Sequence, residues 1–210
     1  MDHNLPFRIM MNLKSQNTKL QTQTSKRYIL FYKPYAVLSQ FTSEDGKQSL
    51  KDFGFPKDVY PVGRLDYDSE GLLLLTNDNE IKNKLTNPKY GHPKTYLAQV
   101  ERIPTEEAIK RLRNGVAIEG EKTKPAEVEL LLDDPCFSPR SIPIRFRKNV
   151  PTAWIKIILH EGRNRQVRKM TAAIGHPTLR LVRIKIGNIG IEKMNPGEWR
   201  EIILQEIIQL

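Results

Sequence analysis

The sequence predicts an α+β fold with a mixed, mostly antiparallel sheet and flanking helices. Segments with strand character follow one another along the chain with few helical segments between them, which is typical of strands joined in meander order. Four consecutive leucines at residues 72–75 predict a strand that is buried on both faces. With 210 residues, the chain can form one large domain or two lobes that share a core.

The first elements follow from apolar runs and from the residues that interrupt them. Apolar residues 28–32 predict a strand, which the sequence Lys33-Pro34-Tyr35 ends. Residues 36–41 then predict a second strand, and residues 49–53 predict a short helix.

Two helices and several strands are predicted after these elements, in addition to the basic helix described below. Apolar residues spaced i, i+4 predict a short helix at residues 79–85, with Asn77 or Asp78 as its N-cap. An amphipathic helix is predicted from Thr105 to about Leu112. Alternating or continuous apolar residues predict strands at residues 94–100, 122–132, 142–146, 153–159, 179–186 and 199–204.

The composition indicates an intracellular protein with a polyanionic partner. A pI near 9.7 and a net charge of +10 favour RNA or DNA over a membrane. No apolar stretch approaches the ~20 residues that span a bilayer. The single cysteine, Cys136, excludes an internal disulfide and a cysteine-based zinc cluster, and the four histidines lack metal-ligand spacing, so we expect no metal.

The residues in front of the leucine run are acidic, which is unexpected in a basic protein. Between Leu65 and Ile81 there are five acids and no Lys or Arg. A loop on a rigid, buried strand is a favourable place for chemistry, because the strand fixes the position of the loop. We therefore expect a functional site in this loop.

A second charged segment, residues 162–175, predicts a basic helix. Val167, Met170 and Ile174 share one face of the helical wheel. The opposite face carries Arg165, Arg168 and Lys169, and basic residues continue along the next strand at Arg180, Arg183 and Lys185. A solvated cationic face is one interpretation. Because guanidiniums suit phosphate contacts, we favour a nucleic-acid surface on which Arg165 and Lys169 bind RNA phosphates.

The acidic loop and the basic helix can be combined into one hypothesis. A carboxylate that works beside RNA phosphates needs a guanidinium partner to offset their repulsion. The sequence thus predicts an ion pair between one arginine of the helix and one acid among Asp66, Asp68 and Glu70. Residue types alone leave open which acid it is and which reaction follows.

Four motifs in fixed order resemble the RsuA-type pseudouridine synthases. The first is Gly63-Arg64-Leu65-Asp66 followed by Ser69-Glu70-Gly71-Leu72-Leu73. The others are Lys94-Thr95-Tyr96, Gly162-Arg163-Asn164-Arg165-Gln166-Val167-Arg168-Lys169-Met170 and Leu181-Val182-Arg183-Ile184-Lys185-Ile186-Gly187. The resemblance covers about residues 27–201, and four ordered motifs are far more specific than one.

The resemblance implies a pseudouridine-synthase fold with two lobes around a central cleft. It also implies a cytoplasmic, monomeric enzyme that needs no cofactor. The substrate would be a specific uridine of 23S ribosomal RNA or of a large-subunit assembly intermediate. Residues 1–26 lack apolar periodicity and are expected to be a disordered tail. They are too few for the N-terminal RNA-binding domain of many relatives, which leaves residues 27–210 as the catalytic domain.

The resemblance also implies a role for individual residues. Asp66 would enable cleavage of the uridine glycosidic bond, by attack at the ribose or by assisting deprotonation at C2′. Tyr96 would stack on the flipped uracil and Leu181 would pack under it. Arg168 would pair with Asp66, and Arg64 would help the target base leave its stack.

Two functions of other classes compete with this interpretation. A non-catalytic RNA-binding or ribosome-assembly factor could keep the same fold, although the intact Asp66, Tyr96 and Arg168 speak against it. A hydrolase acting on nucleosides would need an activated water at the glycosidic carbon, and release of free uracil would identify it.

Overall fold

The computed structural model describes residues 25–144 and 147–208. The predicted disordered tail lies outside these residues, apart from its last two members. Ser25 and Lys26 contact the two residues that precede the helix beginning at Asn79. The Asn77 side chain donates to the Ser25 carbonyl (3.1 Å), and Lys26 Nζ lies 3.0 Å from Asp78.

The described residues form eleven strands, four α-helices and two short 3₁₀ helices. The strands are β1 (Tyr28–Lys33), β2 (Tyr60–Pro61), β3 (Glu70–Thr76), β4 (Lys94–Glu101), β5 (Ala117–Ile118), β6 (Glu121–Lys122), β7 (Glu127–Leu130), β8 (Thr152–Leu159), β9 (Thr178–Ile186), β10 (Ile189–Gly190) and β11 (Trp199–Ile202). The α-helices are α1 (Asn79–Thr86), α2 (Glu106–Arg113), α3 (Gln166–Ala173) and α4 (Leu204–Ile208), and the 3₁₀ helices are Leu50–Phe53 and Pro88–Tyr90. Each helix of this part of the chain is too short or too polar to span a bilayer.

Nine strands form one mixed sheet, which confirms the predicted α+β class. Its main path runs β11-β1-β3-β9-β4-β8-β7, with β2 beside β3 and β10 beside β9. The pairing of β3 with β9 is parallel, and the other pairings described for this sheet are antiparallel. Strands β5 and β6 form a separate hairpin.

Strand β3 is buried on both faces, as the leucine run predicted. All seven of its residues are buried. Leu72 and Leu74 pack into one apolar cluster with Val182, whereas Leu73 and Leu75 pack into another with Phe31. Burying a leucine side chain stabilises the fold by roughly 1.5–3 kcal/mol, so these four residues fix β3 in the middle of the molecule.

The helices predicted after β3 and after β4 are present as α1 and α2, and a side chain caps the N-terminus of each. Asp78 accepts from the backbone N–H groups of Glu80 (3.0 Å) and Ile81 (3.4 Å), so it is the N-cap of α1. Thr105 accepts from Ala108 N–H (3.2 Å) at the start of α2. Each cap satisfies donors that a helix start leaves unpaired.

The strand predicted at residues 36–41 is absent. Apart from a single bridge between Leu38 and Ser49, these residues are irregular. Ala36 is in the left-handed region (φ 58°), and the buried Lys33 Nζ donates to the carbonyls of Pro34 and Val37, both at 2.8 Å. These contacts turn the chain away from the sheet directly after β1.

Three further predicted strands are wrong or shorter than expected. The strand predicted at residues 199–204 ends at Ile202, since Leu204 begins α4. A proline lies in each of the other two. Residues 142–144 form no strand, and residues 145–146 lie outside the described part of the chain. Within the predicted strand 122–132, only Glu127–Leu130 joins the main sheet. Proline lacks the N–H that a ladder needs, and Pro125 and Pro143 occupy these segments.

The parallel contact between β3 and β9 requires a glycine. Gly71 pairs with Arg183 and has a φ of 104°, a region that side chains rarely adopt. A Cβ at this position would lie 2.2 Å from the Arg183 carbonyl oxygen. The two backbones could not keep this separation with any larger residue.

We therefore expect Gly71→Ala to destabilise the protein by more than about 3 kcal/mol, because it adds a backbone clash to an unfavourable φ. Gly46→Ala is the matched control, since Gly46 also has a positive φ (69°) but a Cβ added there would have no atom within 4 Å. It should cost about 1 kcal/mol. Urea unfolding of both variants measures the difference, and equal losses would contradict the close-approach explanation.

Candidate active site

A cleft of about 600 Å³ opens beside the β3–β9 junction. It is bordered by the loop that precedes β3, by β4 and β9, and by the segment that leads into α3. Five of the six predicted site residues line it, namely Arg64, Asp66, Tyr96, Arg165 and Leu181. The sixth, Arg168, is not among the lining residues, and its side chain is only 13% exposed.

Hydrogen bonds to the backbone hold the loop that carries Asp66. Ser39 Oγ donates to the Leu65 carbonyl (2.7 Å) and accepts from the Leu65 N–H (3.1 Å). The Ala36 N–H donates to the Tyr67 carbonyl (2.9 Å). The irregular segment after β1 thus fixes the residues on either side of Asp66, which gives a physical reason for its departure from the sheet.

Asp68, rather than Asp66, is the centre of the ion-pair network. Arg165 donates to both carboxylate oxygens of Asp68, at 2.8 Å each, in the bidentate geometry that favours guanidinium–carboxylate pairs. Arg168 Nε lies 3.3 Å from the same carboxylate, and Arg168 Nη2 donates to the Asp68 carbonyl (2.6 Å). A third donor of Arg168 bonds the Thr178 carbonyl (3.1 Å) and so ties the loop to β9.

The pairing predicted between Arg168 and Asp66 is wrong. Within the described residues, the guanidinium within ion-pair distance of Asp66 belongs to Arg165, whose Nη1 lies 3.6 Å from Asp66 Oδ2. Arg165 therefore bridges the two carboxylates, while Arg168 orders the backbone behind them. The prediction that one helix arginine would pair with an acid of this loop is confirmed, with Asp68 as the acid.

The position of Arg165 in the chain explains how its side chain reaches the loop. It precedes α3 in the left-handed conformation (φ 51°), which costs a non-glycine residue roughly 1–2 kcal/mol. Two charge-assisted hydrogen bonds to Asp68 offset this cost. An unfavourable backbone conformation retained at a cleft is typical of a functional site.

The electrostatics of this network keep the Asp68 carboxylate ionised. Burial raises the pKa of Asp68, but the hydrogen bonds from Arg165 and the charge of Arg168 outweigh it, so the pKa lies below its ordinary value. The hydrogen bond to Asp68 raises the pKa of Arg165. Burial lowers the pKa of Arg168, although the charge of Asp68 opposes this.

The two arginines of β9 are buried and bonded to β3, so they are not part of a solvated basic face, although Arg183 also lines the cleft. Arg180 and Glu70 form a bidentate pair (2.9 and 2.8 Å) with side chains only 8% and 2% exposed. Arg183 is also buried, and its guanidinium donates twice to the Leu72 carbonyl (2.9 and 2.7 Å). Both side chains reinforce the short β3–β9 pairing from the side of β9.

The basic residues around the start of α3 have carboxylate partners as well. Lys169 Nζ lies 2.6 Å from Glu119, and Arg163 pairs with Glu121. These acids come from the β5–β6 hairpin, which is distant in sequence. The apolar face of the helix is buried as predicted, through Val167, Met170 and Ile174. The acid-free sequence around α3 thus does not produce an uncompensated positive surface.

Tyr96, Leu181 and Arg64 lie around the same cleft. Tyr96 is half-buried on β4 and packs against the cluster that contains the buried Leu181 of β9. Arg64 is exposed at the cleft, and its side chain has no hydrogen bond or ion pair to another described residue. It is therefore available to a ligand.

Sequence reasoning missed two residues that support this site. Lys33 is fully buried beside the loop, and burial lowers its pKa to about 7, although Glu70, Asp68 and Asp66 oppose this shift. Ser39 lies in a segment that was predicted as a strand. The Lys-Pro sequence marked a turn at Lys33, but no periodicity indicated that these side chains would bond backbone carbonyls. Within the described ranges, no group of three or more His, Cys, Asp or Glu residues could hold a metal ion.

The chain is similar to known RNA-modifying enzymes. A family model described as RNA pseudouridylate synthase matches residues 27–173. The chain is 52% identical over 180 residues to the ribosomal large subunit pseudouridine synthase E of Vibrio parahaemolyticus, covering 86% of this chain and 75% of that protein. It is 52% identical over 170 residues to the protein of the same name from Xanthomonas axonopodis pv. citri, covering 80% and 90%. A crystal structure of a pseudouridylate synthase superposes with a TM-score of 0.72 at 30% identity, covering 88% of this chain and 74% of the other.

Replacing the Asp68 carboxylate with a neutral amide should change how the stability of the protein depends on pH. We expect Asp68→Asn to lower stability at pH 7 by about 1–2 kcal/mol, since it removes charge-assisted hydrogen bonds. Because the pKa of Asp68 is depressed, its contribution is complete above the unfolded-state pKa of about 3.9 and is lost as pH falls through the lower folded-state pKa. The stabilities of wild type and variant should therefore converge below about pH 3.

Urea unfolding between about pH 2 and pH 7 tests this expectation. Glu119→Gln is the control, because it removes an exposed pair with Lys169 that should contribute little. A constant gap between wild type and Asp68→Asn down to the lowest pH would contradict the assigned cause.

Proposed function

The chain belongs to the RNA pseudouridylate synthase family, and from this we propose that it converts a uridine of large-subunit ribosomal RNA into pseudouridine, with Asp66 as the catalytic carboxylate. The names of its relatives support the choice of RNA. The match to the family model extends across β3, β4 and α3, which surround the cleft. The proposal for Asp66 rests on the site itself.

One observation carries the proposal for Asp66. Its carboxylate is about one-third exposed (33%) in a cleft that Tyr96, Leu181 and Arg64 also line. Asp68 is engaged on both oxygens by Arg165, and Glu70 is buried against Arg180, so neither is free to react. Asp66 is thus the acid of this loop that a nucleotide in the cleft could meet.

The reaction rearranges bonds within one nucleotide. The bond between C1′ of the ribose and N1 of uracil breaks, the base turns within the cleft, and C5 bonds to C1′. The proton on C5 is then lost, and N1 ends with a proton, so no atom is gained or lost. Asp66 would assist the first step, by attack at the ribose or by deprotonation at C2′.

The surrounding residues would bind and orient the base. Tyr96 would stack on the flipped uracil, worth roughly 1–3 kcal/mol per base, while Leu181 would pack beneath it. Removing a base from its stack costs a few kcal/mol. Arg64 would offset part of this cost by filling the space that the base leaves or by contacting the phosphate of the flipped nucleotide. The positive charge of Arg165, 3.6 Å from Asp66, would offset the repulsion between this carboxylate and the incoming phosphates.

Arg168 receives a positioning role in place of the predicted direct pairing. Through Asp68 and the Thr178 carbonyl it fixes the loop, and through Asp68 it also orients Arg165. We also propose that the enzyme is monomeric and cytoplasmic, and that it acts on ribosomal RNA or on a large-subunit assembly intermediate.

We expect Asp66→Asn to abolish pseudouridine formation in a large-subunit rRNA transcript, while RNA affinity stays within a few-fold, because phosphate contacts dominate binding. Tritium release from uridine labelled at C5 measures the reaction. Asp45→Asn is the matched control, since Asp45 is an exposed loop acid paired with Lys47. Turnover near wild type in Asp66→Asn, or release of free uracil by the wild type, would contradict the proposal.

Replacing Arg165 and replacing Arg168 should have different effects on turnover and stability. Arg165→Ala should lower turnover by about 100-fold or more, since small displacements of reacting groups are costly, with a modest loss of stability because Arg165 is 42% exposed. Arg168→Ala should lower both turnover and stability, because it leaves backbone carbonyls without their donors. In each case the lysine variant keeps the charge but loses the fork geometry.

Turnover under single-turnover conditions and urea unfolding give the two readouts. Arg200→Ala, which removes an exposed pair with Glu206, serves as the control. Equal stability losses for Arg165→Ala and Arg168→Ala would contradict the division of roles.

A further inference from the structure

Uncompensated positive charge lies beside the cleft on the segment that follows β3. Residues 81–100 contain four lysines and no Asp or Glu. Three of them, Lys82, Lys84 and Lys89, have no carboxylate within ion-pair distance among the described residues. The fourth, Lys94, is half-buried, and burial lowers its pKa.

Exposed aromatic rings accompany these lysines. Tyr60 on β2 is 57% exposed, and Lys82 Nζ lies 5.9 Å from the centre of its ring. Tyr90 is 49% exposed, with Lys89 Nζ at 4.7 Å from its ring and the His92 ring stacked at 6.0 Å. An aromatic ring carries no net charge, so an ammonium over a ring is not neutralised as it is by a carboxylate and can still attract a phosphate.

This surface is continuous with the mouth of the cleft. The residues between and beside the lysines line the cleft, namely Thr86, Asn87, Pro88, Gly91 and His92. On the other side, Tyr60 is followed by Val62 and Arg64, which also line it. A polymer whose target nucleotide occupies the cleft would therefore pass over this surface.

The chemistry of the surface fits a single-stranded nucleic acid. Proteins that bind single strands combine cationic side chains along the backbone path with aromatic rings on which bases stack. The large apolar side chains exposed here are the tyrosines Tyr60 and Tyr90, and no exposed aliphatic side chain of the described chain lies in this segment. A surface that binds a protein would be expected to have exposed aliphatic side chains at its centre as well.

We propose that the surface formed by Tyr60, Lys82, Lys89 and Tyr90, the lysine–tyrosine wall, binds the RNA strand next to the target uridine. Lys84 is left out, because it is two residues from Lys82 on α1 and therefore lies on the other flank of the helix. The lysines contact the phosphates, and the tyrosines stack on flanking bases. This inference rests on the proposed function, since it places the target uridine in the cleft. It assigns the main electrostatic contact to α1 and the following turn, and not to the compensated side chains of α3.

Salt dependence tests the lysines. The double variant Lys82→Gln/Lys89→Gln should reduce the magnitude of the slope of log K against log salt by about 1.4 for a large-subunit rRNA transcript, since each single-strand contact contributes about 0.7. The control double Arg147→Gln/Lys156→Gln removes the same charge from side chains that pair with Glu101 and Glu129. Its slope should stay at the wild-type value.

Stacking is tested separately with Tyr90. Tyr90→Ala should weaken binding of the same transcript by about tenfold at fixed salt, whereas Tyr90→Phe should keep the wild-type affinity, because the ring and not the hydroxyl does the stacking. Circular dichroism spectra and urea midpoints show that each variant is folded.

The outcomes separate this inference from the proposed function. Equal slopes for the two double variants, or equal affinities for the two Tyr90 variants, would overturn the wall, even if the wild type forms pseudouridine. If the wild type forms no pseudouridine in the transcript, but the slope falls only in the wall double variant, the result would support the wall as an RNA-binding surface and overturn the choice of reaction or target.

Discussion

The short parallel pairing of β3 with β9 determines where every part of the site lies. Only two residue pairs form it, so side chains must supply what the ladder lacks. Arg180 and Arg183 do so from β9, by bonding Glu70 and the Leu72 carbonyl of β3. Because β3 and β9 meet here, the loop that enters β3 lies next to Leu181 and to the segment that enters α3, although these parts are far apart in sequence.

The individual ion pairs explain the charge distribution of this protein better than its net charge does. Arginines and lysines in and around α3 and β9 are largely neutralised by carboxylates of the acidic loop, of β3 and of the β5–β6 hairpin. Acids concentrated in one loop of a basic protein are thus explained by the guanidiniums that they hold in place. A buried, hydrogen-bonded pair contributes more to geometry than to stability, and geometry is what a catalytic carboxylate requires.

Much of the fold could be predicted because it depends on local patterns. The leucine strand, the caps at Asp78 and Thr105, and the buried face of α3 each follow from spacing that a few neighbouring residues determine. The partner of Arg168 could not be predicted in this way. Asp66 and Asp68 are the same residue type, two positions apart in an irregular loop, so no periodicity indicates which of them faces Arg168. The burial of Arg180 depends on Glu70, a contact between residues 110 positions apart, and no local pattern carries that information.

The buried Lys33 has a consequence for the thermodynamics of the whole molecule. Its ammonium lies in the interior, where burial lowers its pKa to about 7, whereas in the unfolded chain it has the ordinary value near 10.5. Between these two values the unfolded chain holds a proton that the folded protein largely lacks, so folding releases a proton to the solvent. By linkage, this residue makes the native state more favourable as pH rises through that window. The turn that follows β1 thus encloses a lysine that largely loses its charge on folding in this pH range, and folding is coupled there to the pH of the surroundings.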